Sequence, residues 1–535
     1  MVGGPSRGGC ILEITRAASD NDSFIARGVI SKATLKVRSM PETPNILVIM
    51  VDQMTPFFAG AYGHPRVLTP NLDKLASRGT RFDAAYTPCP ICAPARAGMM
   101  TGRHVSKIGC NDNGDSFSSM LPTFAHYLSN AGYDTTLSGK MHFVGPDQLH
   151  GFRRRLTTDV YPSTYDWSYD PLNQGEDVLA FDFYKQYLAE NVGPGWSLEL
   201  QFDEENQFRS LEYLRENHEQ PFALVSSFTS PHPPFIAPRK YWDMYEDVEI
   251  DLPDYPQDME SNFSVMDHAL SQWHGTDRFA DAIRDPDNLR AMRRGYYALY
   301  SYIDDKVGEL INVLEEQGIR DQTAVFFVAD HGDMIGEKGM IQKRSFYDHS
   351  ARIPFIADIP GYTRTGPVIA PVSLIDLAPT LLDVAQVPVE SRLPMDGVSV
   401  LPLMDGEVQV ERIAVAEYHA EGVFRACFMI RKGSYKYVYI DGADHQLFNL
   451  DADPGEWNNL CGMQEFAEIE NSLKQLIESK FDVSSISPSI DQNLEMKRVV
   501  LQAMHTNQTH WDYQPFFDAS SQYVRTDKSK KYIRT

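Results

Sequence analysis

The chain has 535 residues, and 42% of them are hydrophobic, which excludes a globally disordered protein and allows a large buried core. Acidic residues outnumber basic ones by 73 to 49, and the formal net charge of −24 argues against a nucleic-acid partner. Six scattered cysteines do not make a disulfide framework, and no apolar run is long enough to span a bilayer. We therefore expect a cytoplasmic protein with no membrane partner.

The first predicted element is a buried strand. Residues 46–51 form a continuous apolar run that ends at Asp52, which is typical of a parallel strand covered on both faces. Thr69 and Pro70 then provide an N-cap and a first-turn proline, and Gly79 provides a C-terminal stop. Together these residues predict a helix directly after the strand.

Polar residues follow the ends of three further predicted strands. They are Lys140 and His142 after the strand 133–137, His232 after the strand 222–228, and Asp330 and His331 after the strand 324–329. A long helix is predicted over 289–314. Because ligands in open α/β sheets bind outside the carboxyl ends of the strands, the shared polar endings predict a single site.

A smaller subdomain is predicted beyond about residue 400. Strands are expected at 425–430 and 435–440, followed by a helix near 464–480. The tail has weak periodicity, but its aromatic stretch 511–517 is typical of a segment that docks on another surface. The predicted organisation is a flexible N-terminal extension, a catalytic α/β domain, an α+β subdomain and an oligomer-contacting tail, at 1–44, 45–400, 401–480 and 481–535.

The segment Cys92-Ala-Pro-Ala-Arg96 is the most informative motif of the chain. The spacing of Cys89 and Cys92 is compatible with a redox pair, and a lone cysteine is also compatible with simple core packing. Neither interpretation explains Arg96. Pro94 suits a first helical turn, so Cys92 is expected at a helix N-terminus, where free N–H groups favour an anion.

Cys-x-Pro-x-Arg is the pattern at which sulfatases have their cysteine oxidised to formylglycine, and from about residue 45 to residue 460 the chain resembles sulfatases of the alkaline-phosphatase superfamily. The resemblance implies a mostly parallel central sheet flanked by helices, with a smaller C-terminal subdomain and an extended tail. It also implies that a maturation enzyme modifies Cys92, whose aldehyde hydrate attacks the sulfur of a sulfate ester.

The resemblance also implies roles for the polar residues that follow the predicted strands. One divalent cation is expected, with Ca²⁺ favoured by the oxygen ligands and Mn²⁺ or Mg²⁺ as alternatives. Its predicted ligands are Asp52, Gln53, Cys92, Asp330 and His331. The predicted catalytic residues are Cys92 as nucleophile precursor, Arg96 to hold the diol, Lys140 and Lys343 to bind sulfate oxygens, His142 as base and His232 as general acid.

Three segments narrow the resemblance to choline-sulfatases, namely 139–152, 156–162 and 511–515. This family implies choline-O-sulfate as substrate, a role in choline metabolism, and a homotetramer in which the tail reaches a neighbouring subunit. A quaternary ammonium has no N–H to donate, so it needs aromatic faces and carboxylates. The candidate substrate-binding residues are Asn113, Trp167, Glu421 and Asp512.

Two alternatives remain open from the sequence. A phosphonate monoester or phosphodiester hydrolase of the same superfamily would share the nucleophile and the metal ligands. A protein in which Cys92 is never matured would instead be a non-catalytic binder of quaternary ammonium or anions.

Overall fold

The computed structural model describes residues 43–168, 180–362, 366–406, 412–423 and 425–516. The expected flexible extension at 1–44 and the last part of the predicted tail lie almost entirely outside these described residues. No helix in the described ranges is long and apolar enough to cross a membrane.

The described residues form fifteen strands: β1 (Asn45–Val51), β2 (Thr80–Arg81), β3 (Ala85–Tyr86), β4 (Asp134–Gly139), β5 (Arg154–Arg155), β6 (Gly193–Pro194), β7 (Phe222–Ser227), β8 (Ile236–Ala237), β9 (Thr323–Ala329), β10 (Phe355–Asp358), β11 (Val372–Ser373), β12 (Ile413–Tyr418), β13 (Cys427–Lys432), β14 (Tyr435–Ile440) and β15 (Gln446–Asn449).

The same ranges contain fourteen α-helices, joined by loops and short 3₁₀ turns: α1 (Pro70–Arg78), α2 (Cys92–Thr101), α3 (Val105–Ile108), α4 (Phe124–Asn130), α5 (Leu198–Leu214), α6 (Arg239–Asp243), α7 (Val265–His274), α8 (Ala280–Arg284), α9 (Pro286–Glu316), α10 (Asp348–Ala351), α11 (Leu377–Val384), α12 (Leu401–Met404), α13 (Ala467–Lys480) and α14 (Val483–Asn507).

The central sheet has seven strands in the order β2-β10-β9-β1-β7-β4-β5. β1 pairs in parallel with both β7 and β9, and β4 pairs in parallel with β7 and β5. Only β10 and β2 at one edge run antiparallel to their neighbours. The prediction of a mostly parallel central sheet is confirmed, and β4, β7 and β9 are buried along their whole length.

Two groups of helices flank this sheet. α1 and α5 each pack on α9, and α5 also packs against β4 and β7. α2, α4 and α11 form a second group in which α4 contacts β4. The predicted long helix lies inside α9, and the helix predicted after the first strand is α1. Both faces of the central strands are therefore covered, which is why their sequences are continuously apolar.

The C-terminal subdomain is an antiparallel sheet in the order β12-β13-β14-β15, with α13 packed on β13 and β14. Leu473 and Ile477 of α13 join Phe428 and Ile430 of β13 in a separate buried cluster. The predicted α+β subdomain is therefore present, and its first predicted strand begins two residues later than expected.

A 25-residue helix, α14, occupies the start of the region predicted as a tail. Its buried residues Ile486, Leu494 and Met504 are separated by a buried charge, Lys497. That lysine interrupts the apolar stripe that would have indicated a helix from the sequence alone.

Candidate active site

Three parallel strands deliver charged side chains to one edge of the central sheet. Asp52 follows β1, Lys140 follows β4, and Asp330 and His331 follow β9. All four residues are fully buried. The strands lie in the order β9-β1-β7-β4, so their carboxyl ends bring these side chains together, as the polar endings predicted.

Gly139 makes the turn that carries Lys140 into this site. Its φ is +91°, and a Cβ atom there would lie 1.9 Å from the backbone oxygen of Ser227. The next amide, that of Lys140, donates to the same Ser227 oxygen at 3.0 Å. A side chain at 139 would therefore force β4 and β7 apart at the point where the lysine leaves the sheet.

Cys92 is the first residue of α2, as Pro94 in its first turn predicted. The Cys92 Sγ atom lies 3.0 Å from Lys343 Nζ and 3.3 Å from His331 Nε2. It lies 4.0 Å from both Lys140 Nζ and Asp52 Oδ1. In a matured chain, a formylglycine oxygen would take the position of this sulfur.

The two cysteines of the Cys-x-x-Cys spacing lie in opposite electrostatic environments. Burial opposes ionisation of Cys92, but Lys140 and Lys343 outweigh it and hold the pKa of its thiol well below the usual value. Burial, together with Glu417, raises the pKa of the Cys89 thiol well above it. Both cysteines are free thiols in the structure, and only Cys92 lies where its thiolate is favoured, which argues against a redox pair.

Arg96 is fully buried and joins four segments of the chain. Its Nε donates to Asp330 at 2.9 Å and its Nη2 donates to Asp52 at 2.8 Å. Its Nη1 donates to the Lys140 carbonyl at 2.6 Å and to Ser227 Oγ at 2.9 Å. The guanidinium thus fixes the relative positions of the two carboxylates beneath Cys92.

The charges of the cluster set the protonation of its acids. Burial opposes ionisation of Asp52, but Lys140, whose Nζ lies 2.6 Å from its carboxylate, and Lys343 hold its pKa well below the usual value. Burial and the neighbouring Asp52 raise the pKa of Asp330. Two carboxylates this close favour a cation between them.

The cluster fits a divalent cation. Ligand atoms of Asp52, Cys92, Asp330 and His331 all lie within 4.8 Å of one another and all four residues are buried. Two carboxylates and one imidazole suit a hard or borderline metal ion. Gln53, the fifth predicted ligand, accepts from Lys343 with its Oε1 at 2.8 Å and donates from its Nε2 to Asp333 at 2.5 Å.

A cavity of about 320 Å³ opens above Cys92. Cys92, Lys343 and His232 line the part of the wall next to the buried cluster of Asp52, Lys140, Asp330 and His331. We call this part of the wall, together with that cluster, the sulfate end. The rest of its wall, which we call the leaving-group end, consists of Asn113, Tyr161, Trp167, Phe183, Gln186, Glu199, Pro233, Trp273, Gln342, Arg344 and Glu421.

His232 lines the cavity as a neutral imidazole. His232 Nδ1–H donates a hydrogen bond to the Pro233 carbonyl at 2.7 Å, which leaves Nε2 as an acceptor 3.4 Å from the Tyr161 hydroxyl. Burial and the nearby Lys343 hold the pKa of His232 well below its usual value. The predicted general acid therefore needs an added negative charge nearby before it can carry a second proton.

His142, the predicted base, is buried behind the cavity wall. Its ring packs 4.7 Å from that of Tyr161 and 5.5 Å from that of Trp167. Neither ring nitrogen has a hydrogen-bond partner among the described residues. Its role in proton transfer stays a prediction, and its observed contact is support for the aromatic wall.

Three of the predicted substrate-binding residues line the cavity, and each makes a different contact there. Trp167 lines the cavity with its ring 4.3 Å from that of Tyr161. Asn113 Oδ1 accepts from the amide of Ala93, in the first turn of α2, at 3.0 Å. The Glu421 carboxylate is paired with Arg344, whose Nη2 lies 2.5 Å away.

Asp512 does not line the cavity in this single chain. Its Oδ1 accepts from both the amide and the hydroxyl of Ser163 at 3.0 Å. The neighbouring Trp511 packs edge-on against Tyr165 at 5.5 Å. The described part of the tail therefore buttresses the loop between Tyr161 and Trp167.

Several cavity residues were not singled out from the sequence. Tyr161 lies in the segment 156–162 that resembles choline-sulfatases, so a signal was available for it. Phe183, Glu199 and Trp273 come from a 3₁₀ turn and two helix ends, and no pattern in the sequence connects them. Only the folded chain brings them to one wall.

A buried nucleophile position beside a carboxylate–histidine cluster, at the carboxyl edge of a mostly parallel sheet, defines a hydrolase of charged esters. A family model described as Sulfatase matches residues 44–387, and one described as Choline sulfatase enzyme C terminal matches residues 492–529. A third, described as N-sulphoglucosamine sulphohydrolase, C-terminal, matches residues 336–482. The chain belongs to the sulfatase family and is an enzyme of that family.

Known proteins of this family align along most of the chain. Choline-sulfatase from Rhizobium meliloti (strain 1021) is 37% identical over 520 residues, which cover 92% of this chain and 99% of the relative. An arylsulfatase from Clostridium perfringens is 29% identical and covers 81% and 93% of the two chains. The solved structure of a phosphonate monoester hydrolase from Agrobacterium radiobacter shares the fold with a TM-score of 0.65 at 24% identity, covering 82% and 95%.

Proposed function

We propose that this sulfatase hydrolyses choline-O-sulfate to choline and sulfate, with formylglycine derived from Cys92 as the nucleophile. The observation that carries the proposal is a single cavity that joins the Cys92 cluster to an aromatic wall containing Tyr161, Trp167 and Trp273. Such a wall suits a quaternary ammonium, which binds to aromatic faces. The similarity to choline-sulfatase over 92% of the chain adds support.

The sulfate end is suited to holding a sulfate group. Lys343 Nζ and Lys140 Nζ lie 3.0 Å and 4.0 Å from the Cys92 sulfur, so they can bind sulfate oxygens as charge develops on them. His232 at the cavity wall can pass a proton to the departing choline oxygen once bound sulfate raises its pKa. A formylglycine hydrate would supply an oxygen nucleophile for sulfur and then release sulfate as the aldehyde reforms.

We propose that one divalent cation, with Ca²⁺ favoured over Mn²⁺ and Mg²⁺, binds to Asp52, Asp330, His331 and the modified residue 92, with Gln53 adjoining. Ligand atoms of Asp52, Cys92, Asp330 and His331 lie within 4.8 Å of one another, which supports the site without counting Gln53 as a ligand. Such an ion would hold the nucleophile and withdraw charge from sulfate oxygens. Elemental analysis of the purified protein measures its identity, and one equivalent of metal per chain is expected.

A maturation enzyme and a homotetramer belong to the same proposal. Exposed apolar residues on α14 and in the tail, among them Val499 and Phe516, support an association between copies of the chain. Light scattering on the purified protein measures the mass of the assembly, and a monomer would contradict the proposed tetramer.

Intact mass spectrometry combined with substrate comparison tests the proposed activity. The measured mass of the purified chain should be lower than that of the unmodified sequence. The difference should equal the change from a cysteine CH2–SH group to the unhydrated CHO group of formylglycine. Sulfate release from choline sulfate should exceed turnover of an aryl phosphonate monoester, and Cys92→Ala should abolish it. Full activity with unmodified Cys92 would overturn the mechanism, and preferred turnover of the phosphonate would favour the alternative hydrolase.

A further inference from the structure

Lys497 of α14 is a buried charge near the active site that the proposed reaction does not use. Its Nζ lies 2.5 Å from Asp115 Oδ1 and 3.2 Å from Asp112 Oδ2. All three side chains are buried. A lysine is rarely buried without reason, because it must leave water and lose its rotamer freedom.

The two carboxylates shape the turn 111–115. Asp115 Oδ2 accepts from the amide of Asn111 at 2.6 Å and from that of Asp112 at 3.3 Å. Asp112 Oδ1 accepts from the amide of Gly114 at 2.7 Å. Lys497 therefore binds the same two carboxylates that accept hydrogen bonds from the backbone amides of the turn.

This turn carries Asn113 to the cavity wall. The amide of Asn113 donates to Glu421 Oε1 at 3.0 Å, and its side-chain Oδ1 accepts from the amide of Ala93 at 3.0 Å. The chain of contacts thus runs from α14 through the turn to the residue after Cys92 and to the Glu421–Arg344 pair. Each step is a buried hydrogen bond or ion pair.

The charge balance makes Lys497 necessary to this arrangement. Burial and the neighbouring Asp115 raise the pKa of Asp112 to about 7, even with the lysine present. Glu421, which is paired with Arg344, adds to the negative charge around the turn. Removal of Lys497 would raise the pKa of Asp112 further and leave Asp115 without a direct counter-ion, so a protonated Asp112 and an unpaired Asp115 would hold the turn less firmly.

We infer that Lys497 is a positioning residue, which fixes the turn 111–115 from α14 and through it the orientation of Asn113 at the leaving-group end of the cavity. The inference rests on the proposed function for its choice of substrate. The C-terminal helix thereby controls the affinity of the active site, although α14 itself does not line the cavity.

The test is a double-mutant cycle built on a charge-matched variant. Lys497→Met combined with Asp115→Asn removes the tether but keeps one net negative charge in the cluster, because one positive and one negative charge are lost together. The asparagine can still accept hydrogen bonds from the amides of the turn. The KM for choline sulfate should rise about tenfold with little change in kcat. Glu495→Gln, an exposed charge change on the same helix, should leave both parameters unchanged.

The Asn113→Ala background separates positioning from simple destabilisation. If Lys497 acts through Asn113, the paired substitution should cause no further rise in KM there. An additive rise in that background, or a wild-type KM in the paired variant, overturns the inference. If the paired variant does not fold, Lys497→Met combined with Asp112→Asn, which also keeps one net negative charge, enters the same cycle with the same criteria.

The wild-type control separates this inference from the proposed function. No turnover of choline sulfate by the matured wild type would overturn the proposed substrate. The same cycle would then be measured with para-nitrophenyl sulfate, where additive effects would still overturn the role of Lys497.

Discussion

The two ends of the cavity are built in different ways. At the sulfate end, Asp52, Lys140, Asp330 and His331 are fully buried at the ends of parallel strands. Arg96 alone bonds to Asp52, Lys140, Ser227 and Asp330. The leaving-group end is lined from loops, a 3₁₀ turn and helix ends, and its Glu199 and Trp167 are only partly buried.

This difference separates the residues that act on the sulfate group from those that discriminate between leaving groups. The sheet fixes the groups that every sulfate ester needs, because strand ends cannot move without breaking the core. The loops supply aromatic faces and carboxylates that meet only one kind of leaving group. Substitutions at the sulfate end should therefore affect all substrates, whereas those at the leaving-group end should affect choline sulfate alone.

The largest effect is expected from Lys343→Met. Its ammonium lies 3.0 Å from the Cys92 sulfur, where it can stabilise the developing sulfate charge. The value of kcat/KM should fall about 100-fold or more for both choline sulfate and para-nitrophenyl sulfate. The exposed Lys107→Met serves as control, and a loss confined to choline sulfate would break the distinction between the two ends.

Trp167→Ala should give the next largest effect, and only with a cationic substrate. Loss of a desolvated cation–π contact of about 2 kcal/mol should raise the KM for choline sulfate by roughly thirtyfold. The kinetics with para-nitrophenyl sulfate should change by less than about twofold. Trp196→Ala, at a tryptophan that is 60% exposed, is the control, and equal losses with both substrates would contradict a role in selection.

The pH dependence should distinguish the two substrates through His232. Burial and Lys343 lower the pKa of this histidine, so at neutral pH its protonated fraction is small and grows as the pH falls. Choline is a poor leaving group that needs this proton, whereas a nitrophenolate does not. The ratio of kcat/KM for the two substrates should therefore shift toward choline sulfate by up to about tenfold per pH unit of acidification.

His232→Asn provides the control for this profile. The variant should make the ratio independent of pH, because asparagine has no titrating proton. A ratio that keeps its slope in the variant, or one that falls as the pH is lowered, would exclude His232 as the acid.

Glu199→Gln should give the smallest effect. Glu199 is the second residue of α5 and lines the cavity, and it forms no ion pair with another residue in the described ranges. The partly exposed carboxylate of the wild type should attract the ammonium of choline sulfate. Its loss in the variant should raise the KM for choline sulfate by threefold to tenfold, or about 1 kcal/mol. The matched control is Glu205→Gln on the exposed face of the same helix.

The dependence of KM on ionic strength tests whether Glu199 acts through its charge. The KM of the wild type should rise with ionic strength more steeply than that of the Glu199→Gln variant, since salt screens an exposed charge. Parallel salt dependences would show that Glu199 does not act through its charge.

The sequence predicted the sulfate end far better than the leaving-group end. Asp52, Lys140 and Asp330 each follow a recognisable apolar strand, and parallel strands must bring such endings together. The motif at Cys92 located the helix that faces them. Local patterns therefore suffice where the position of a residue is set by a strand.

The leaving-group end depends on contacts that no local pattern encodes. Glu421 was predicted to bind an ammonium, and it lines the cavity with its carboxylate paired to Arg344. Nothing in the sequence indicated that pairing, because Lys343, the neighbour of Arg344, was singled out only for the sulfate clamp. Lys497 was passed over because a lysine inside a weak helical pattern suggests solvent. Its burial is explained only by two acids that lie more than three hundred positions earlier.

The four bonds of Arg96 have a consequence for the order of folding. They join residue 96 to partners that lie 44, 131 and 234 positions away along the chain. Contacts across such large loops form late, because the entropy of closing each loop must be met first. A chain that has folded only its first half therefore has no assembled active site, and activity becomes a measure of complete folding.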